Sequence, residues 1–416
     1  MIYSEALDYI GSRLRFGIKP GLSRTRSLLK KLGNPEKKLN FLHVAGTNGK
    51  GSVCAMTSAA LAAVGQKTGL YTSPYISDFR ERMQINSCMI PKDELADIIT
   101  AVKPFANNIS DITEFELITC AAMLWFAENK CDIVVLETGL GGRFDSTNVI
   151  ESPLCSVITK IGLDHTSVLG STIEEIASEK SGIIKPGCPV VSSVQREEAR
   201  KVIFDTAKNR GCRFIQAGEC SAVLEQISGT HARYADIDNL YIPLAGHHQL
   251  ENAAAAIEAL KVIGMSDKDI TEGIAKASIP ARLEYMEGKP SLIIDGAHNP
   301  DGAQTLARAL KDLTAGRRII AVIGVLEDKD YNSVLEILSP RFDIAISADG
   351  FSARELSSGK LAELISKHTY SIDGGNFSTA IDKAFDIAQD DDIIVVCGSL
   401  YLAGALRPVC LDRMRH

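Results

Sequence analysis

Residues 41–52 read FLHVAGTNGKGS, an apolar strand pattern that runs into a glycine-rich turn carrying Lys50 and Ser52. A helix pattern of small residues leaves the turn and stops near Gly65. Glycines let successive backbone N–H groups curl around phosphate oxygens, and a helix N-terminus adds partial positive charge. Thr47, Asn48, Gly49, Lys50, Gly51 and Ser52 are therefore candidate phosphate contacts, with Lys50 neutralising β/γ-phosphate charge. The match to GxxxxGK[ST] is imperfect. Val44 stands at the first glycine position, Gly51 follows the lysine, and Ser52 comes one residue late. The alternative is an ordinary turn between strand and helix, but strand, loop, lysine and helix in that order favour phosphate binding. The second glycine cluster, GLGG at 139–142, has Phe144 in place of the third glycine, which excludes a dinucleotide fingerprint.

Ligands of parallel α/β sheets sit beyond the carboxyl ends of the strands. Four predicted strand ends carry chemistry: the phosphate loop itself, Ser73 before Pro74, Glu137, and Asp164 with His165. A hydroxyl, a carboxylate and an imidazole beside ATP phosphates form a reasonable set for one or two divalent ions. Mg2+ prefers oxygen and keeps waters, while a histidine ligand also suits Mn2+. Each residue has an alternative: Ser73 shaping a turn, Glu137 pairing with Arg143, His165 satisfying backbone. Lys180 is anomalous in another way. Thr172 and Glu175 form a capping box, and Ile173, Ile176, Ala177 and Lys180 then share one helix face. Spacing alone favours a lysine that snorkels from the helix end.

The elements that must position these residues alternate between short apolar runs and helical patterns. Strands are predicted over 39–45, 68–72, 132–137, 154–159, 190–193, 292–295, 318–323, 342–347 and 393–397. Helices are predicted over 52–64, 116–128, 172–181, 252–262 and 301–313. This is α/β architecture with mostly parallel sheets covered on both faces. Residues 211–242 read as a small antiparallel addition and 249–276 as a helical stretch. Pro280, Gly288 and Pro290 interrupt the pattern, placing a nucleotide domain over 1–288 and a smaller α/β domain over 289–416.

The 416 residues exceed one ordinary core, in keeping with two domains. A net charge of −7 argues against nucleic acid or an anionic membrane as the main partner. The ten cysteines include no CxxC pair, which points to core thiols in a reducing compartment. The N-terminus does not read as a signal peptide, and no apolar stretch approaches ~18 residues. The expectation is a cytoplasmic, monomeric enzyme acting on small molecules.

In order along the chain, GTNGKGS (46–52), TSP (72–74), LETGLGGRFDSTN (136–148), IGLDHTSVLG (161–170), SEKSGIIKPG (178–187), HHQLENAAAAI (247–257), PARLE (280–284), DGAHNP (295–300) and GSLYLAG (398–404) resemble the folylpolyglutamate synthase/dihydrofolate synthase family, a branch of the muramyl-ligase-like amide-forming enzymes. The resemblance implies a P-loop domain and a Rossmann-like, glutamate-ligase domain with ATP between them. It implies ligation of L-glutamate to a folate or dihydropteroate carboxylate through an acyl phosphate. It makes Ser73, Glu137, His165 and a carbamylated Lys180 ligands of Mg2+, two ions, and so reverses the snorkelling reading of Lys180. Asn252, Arg282 and Asp295 look like ATP contacts. His298 and Ser399 look like residues near the incoming glutamate, with His298 grouped with Lys50 and Lys180 as catalytic. Asp145 lies where the family contacts a pterin-bearing substrate.

Four positions depart from the family pattern: Tyr75 replaces a frequent His, Ala281 a frequent Gly, and Ser146 and Ser181 frequent alanines. A muramyl-peptide ligase is the nearest rival, yet only 45 residues precede Gly46, too few for a UDP-binding domain. A non-catalytic nucleotide switch would not need the metal-site and second-domain residues. The stretch 16–33, FGIKPGLSRTRSLLKKLG, lies near where pterin recognition would fall.

Overall fold

The computed structural model describes residues 1–13, 21–314 and 316–414. Part of the stretch expected near the pterin, residues 16–20, lies outside the described residues; the remainder contains the helix Ser23–Lys31.

The first sheet contains β1 (Phe41–Ala45), β2 (Thr68–Tyr71), β3 (Met83–Ile85), β4 (Cys88–Met89), β5 (Ile133–Glu137), β6 (Cys155–Ile158), β7 (Val190–Ser192) and β8 (Phe214–Gln216). Their order is β4-β3-β2-β5-β1-β6-β7-β8. In that order the strands from β2 to β8 pair in parallel, and β3 and β4 add an antiparallel edge. β1, β5 and β6 are apolar-rich runs buried along their whole length, as a sheet covered on both faces requires. The helices Lys50–Ala63 and His248–Val262 cover one face, and Lys92–Ala106 and Glu114–Glu128 the other. β1 is central, with β5 on one side and β6 on the other, so its carboxyl end opens into the crevice between their loops.

A three-stranded antiparallel sheet comes next, β9 (Cys220–Gln226), β10 (Gly229–Tyr234) and β11 (Ile237–Ile242). The antiparallel addition is therefore real but starts later than expected. Residues 214–216 instead extend the main sheet, because Val190, Val191 and Ser192 pair in parallel with Phe214, Ile215 and Gln216. The helical stretch expected over 249–276 divides into His248–Val262 and Asp267–Ile274, with the second helix capped by Ser266.

The second large sheet holds β12 (Glu284–Met286), β13 (Ser291–Ile294), β14 (Ile319–Ile323), β15 (Ile344–Asp349), β16 (Ser371–Asn376) and β17 (Ile393–Cys397). Its order is β12-β13-β17-β14-β15-β16, parallel except for the β12–β13 pair. Residue 288 falls in the turn of that antiparallel pair. Glu284, Tyr285 and Met286 face Ile294, Ile293 and Leu292, so the second sheet begins before the expected boundary. All nine predicted strands lie within two residues of an observed one. No helix among the described residues is long and apolar enough to cross a membrane.

Candidate active site

The loop after β1 is braced from β6. Thr47 and Asn48 donate their N–H groups to the Lys160 carbonyl at 2.9 and 3.2 Å. Thr47 Oγ1 donates to the Gly162 carbonyl and accepts from its N–H, both at 3.1 Å. Thr159 Oγ1 donates to the Asn48 carbonyl at 2.7 Å. Gly49 has φ of 86°, where a side chain is strained, and a Cβ there would stand 2.1 Å from Asn252 Oδ1. Asn252 is thus packed directly on the loop, and its Nδ2 donates to Gln249 Oε1 at 3.0 Å.

Two ammonium groups meet on one carbonyl. Lys50 Nζ donates to the Gly46 oxygen at 3.0 Å and to the Thr47 oxygen at 3.2 Å. Lys180 Nζ donates to the same Gly46 oxygen at 2.8 Å. Lys180 is 4% exposed, so it does not snorkel. Burial, and then the Lys50 charge, push the Lys180 amine down to about 7. Glu137 at the end of β5 is also buried, and burial pushes its carboxyl up to about 7 against the Lys50 charge, the Ser73 N–H and the Arg282 charge. Ser73 N donates to Glu137 Oε2 at 3.3 Å, while Ser73 Oγ accepts from Arg82 at 3.2 Å. Arg143 pairs with Glu179 at 3.1 Å, so the Glu137–Arg143 alternative does not form.

His165 behaves differently from the other expected metal ligands. Its backbone is left-handed at φ 49°, its side chain is 59% exposed, and its ring faces Asp164 Oδ2 at 3.7 Å. Among the described residues, no three His, Cys, Asp or Glu side chains converge as a metal-binding group. Glu137 and Ser73 nevertheless lie side by side. A hard divalent ion that retains its waters needs only one or two protein oxygens, and a buried carboxylate raised to about 7 is one that gains from a cation. The residues present therefore fit Mg2+.

The second sheet supplies the opposite wall. Asp295 follows β13, and its Oδ2 accepts from Leu283 N and its Oδ1 from Ala297 N, both at 2.8 Å. Burial raises its carboxyl, and Arg282 opposes the rise. Arg282 also opposes the rise at Glu137, so its charge acts on both walls. His298 Nδ1 pairs with the Gly296 carbonyl at 2.9 Å, and burial pushes its imidazole down. Ser399 is buried and caps the helix Leu400–Arg413, its Oγ accepting from Tyr401 N at 3.1 Å. Asp145 is buried with its oxygens engaged inside the chain: Oδ2 accepts from Gly139 N and Leu140 N at 2.9 Å, and Oδ1 from Thr147 N and Oγ1.

Sequence reasoning missed Thr159 and Lys160 as loop braces, although Thr159 ends the fourth predicted strand and Lys160 follows it. It also missed Glu284 and Arg407, joined by a bidentate pair with contacts from 2.7 to 3.1 Å. These two lie 123 positions apart, and nothing local marks them as partners.

Two family models match the chain: the Mur ligase middle domain over residues 44–260, and the Mur ligase glutamate ligase domain over residues 281–400. The class is thus an ATP-dependent amide ligase of the Mur type. The chain is 37% identical to a dihydrofolate synthase/folylpolyglutamate synthase of Bacillus subtilis, across 97% of this chain and 98% of that protein. A solved folylpolyglutamate synthase of Thermotoga maritima is 34% identical with a TM-score of 0.90, covering 99% of this chain and 97% of that one. An Escherichia coli structure described as in complex with DHPP and ADP is 32% identical with a TM-score of 0.86, covering 100% and 99%. With full-length similarity at this level, the chain belongs to the folylpolyglutamate synthase/dihydrofolate synthase family.

Gly49→Ala places a methyl against Asn252 and strains a left-handed turn. It is expected to weaken ADP binding by about tenfold or more, measured by calorimetry, through loss of the loop geometry. Unchanged ADP affinity would show that Asn252 and the loop are not held together as described.

Proposed function

We propose that the protein uses ATP to join L-glutamate to the carboxylate of a folate, and also of dihydropteroate. The observation that carries this reading is the gathering of Lys50, Lys180 and Glu137 around the Gly46 turn in a chain similar to such synthases along its whole length. ATP transfers its γ-phosphoryl group to the acceptor carboxylate, giving an acyl phosphate and ADP. The amine of glutamate then attacks the acyl carbon, phosphate leaves with the former P–O–C oxygen, and the nitrogen loses a proton as the amide forms.

The chain's own residues bind and orient. Backbone N–H groups of the loop from Thr47 to Ser52 cradle phosphate oxygens, and Lys50 moves its ammonium from backbone carbonyls to the transferring group. Asn252, Arg282 and Asp295 face the nucleotide, while His298 and Ser399 face the glutamate. Asp145 serves the acceptor through the loop it holds. Ser73, Glu137, His165 and a carbamylated Lys180 would hold Mg2+, two ions, or Mn2+; such ions draw charge from phosphoryl oxygens. The two sheets divide this work between a nucleotide domain over 1–288 and a glutamate-ligase domain over 289–416, with β12 reaching from the first into the second sheet. The protein acts as a cytoplasmic monomer on small molecules, without nucleic acid or membrane.

Carbamylation suits Lys180 for a stated reason. An amine near 7 is neutral in a substantial fraction at neutral pH, and that fraction can add CO2, releasing one proton. The product is an anion that can accept where an ammonium cannot.

The reading is tested by ADP release with glutamate and either dihydropteroate or tetrahydrofolate. Both acceptors should support turnover; if neither does, the reading fails. Lys50→Ala should reduce glutamate-dependent ADP release by about 10³-fold or more, as expected for a group stabilising transferring phosphoryl charge. Near-normal turnover in that variant sinks the phosphate-loop assignment. Stripping CO2 should lower activity and bicarbonate restore it, with a 13C-carbamate resonance that Lys180→Ala lacks. Activity indifferent to CO2, with no such resonance, removes the carbamate.

A further inference from the structure

His43 lies in the motif that leads into the phosphate loop, yet no phosphate contact uses it. It sits in the middle of β1, fully buried. Its Nε2 is 2.9 Å from Thr147 Oγ1. Thr147 Oγ1 donates its proton to Asp145 Oδ1 at 2.6 Å, so its oxygen is left to accept. His43 must then carry its proton on Nε2, and its buried Nδ1 has no hydrogen-bond partner. Burial pushes this imidazole down to about 3, in keeping with a neutral ring.

The chain of bonds ends in a loop. Asp145 takes the N–H groups of Gly139, Leu140 and Thr147, which pins both ends of residues 139–147 to one carboxylate. Arg143 N, in the middle of that loop, donates to the Glu179 carbonyl at 2.8 Å, next to Lys180. The outward side of the loop carries Leu140 and Phe144, 38% and 51% exposed.

The strand order makes this connection selective. The nucleotide loop takes its braces from Thr159, Lys160 and Gly162 on the β6 side. The 139–147 loop leaves β5, on the other side of β1. The backbone of β1 thus leads to the nucleotide while the His43 side chain reaches the opposite loop.

We propose that His43 is a positioning residue for the acceptor: its Nε2–H, relayed through Thr147 and Asp145, fixes the 139–147 loop against which the acceptor's flat ring system binds. The acceptor class rests on the function proposed above; the relay itself does not.

The test compares wild type with His43→Leu, His43→Gln and His43→Asn. A glutamine amide places an N–H where Nε2 stood, whereas asparagine reaches only the Nδ1 position. His43→Leu and His43→Asn should raise the KM for the acceptor about tenfold while the KM for ATP and the affinity for ADP stay within about twofold, and His43→Gln should restore most of the loss. Hydrogen exchange should quicken at Gly139 and Leu140 in His43→Leu and stay unchanged at Thr47 and Asn48. If His43→Leu does not fold, Thr147→Val against Thr147→Ser asks the same question, because only the serine keeps the hydroxyl. Equal behaviour of the glutamine and leucine variants, or of the valine and serine variants, overturns the proposal. So does a parallel rise in the KM for ATP and acceptor. Wild-type enzyme with no acceptor-dependent ADP release would instead defeat the proposed function, and the exchange data would still judge the relay.

Discussion

Lys50 and Lys180 both end on the carbonyl oxygen of Gly46. Two ammonium groups that close repel each other, and burial of Lys180 removes the water that would screen them. The carboxylate of Glu137 is buried beside them and is itself pushed towards its neutral form. Neither charge is stable by itself in this setting. A bound polyphosphate would supply negative charge opposite both lysines, and a divalent cation would supply positive charge opposite Glu137. A site of this kind works by placement and charge stabilisation, which is what phosphoryl transfer to a carboxylate demands. It also accounts for the absence, among the residues at the strand ends, of any activated nucleophile.

The surrounding structure serves to keep that turn and its opposite wall in place. From the first sheet, the end of β6 holds Thr47 and Asn48 by their backbones, and Asn252 presses on Gly49. From the second, Arg282 is presented between Ala281 and Leu283, both left-handed at φ 51° and 47°. Such backbone is costly for residues with a Cβ and persists only where neighbours hold it. Asp295 holds the Leu283 N–H and Glu284 holds the Ala281 N–H, and Glu284 is in turn gripped by Arg407. Ala281 carries a Cβ at that positive φ, a strain that a glycine would not have.

The strands were legible because each is a short apolar run between turn residues, a signal confined to a few neighbours. β8 was misassigned for the opposite reason. Residues 214–216 look like the strands after them, and only pairing with β7 puts them in the main sheet. The same holds for β12, which joins the second sheet only through its antiparallel pairing with β13. Among site residues, the loop and the strand-end Glu137 were legible from residue type and position. His165 was read as a strand-end residue, but it lies beyond the end of β6 at the N-cap of the short helix Thr166–Leu169, and it is exposed. Asp145 was expected at a substrate, and its engagement with Gly139, Leu140 and Thr147 could not be read from its neighbours.

The turn at 46–52 shows where the division falls. Its sequence by itself determined a strand, a glycine-rich curl of N–H groups, one lysine and a helix start, because these depend on backbone freedom over a few adjacent residues. Only the tertiary structure decided that a second lysine, 134 positions away, shares the carbonyl of Gly46, that it is buried, and that its amine is pushed to about 7. Burial and the company of other charges set a group's protonation. Both are properties of what the fold brings together, and no local spacing encodes them.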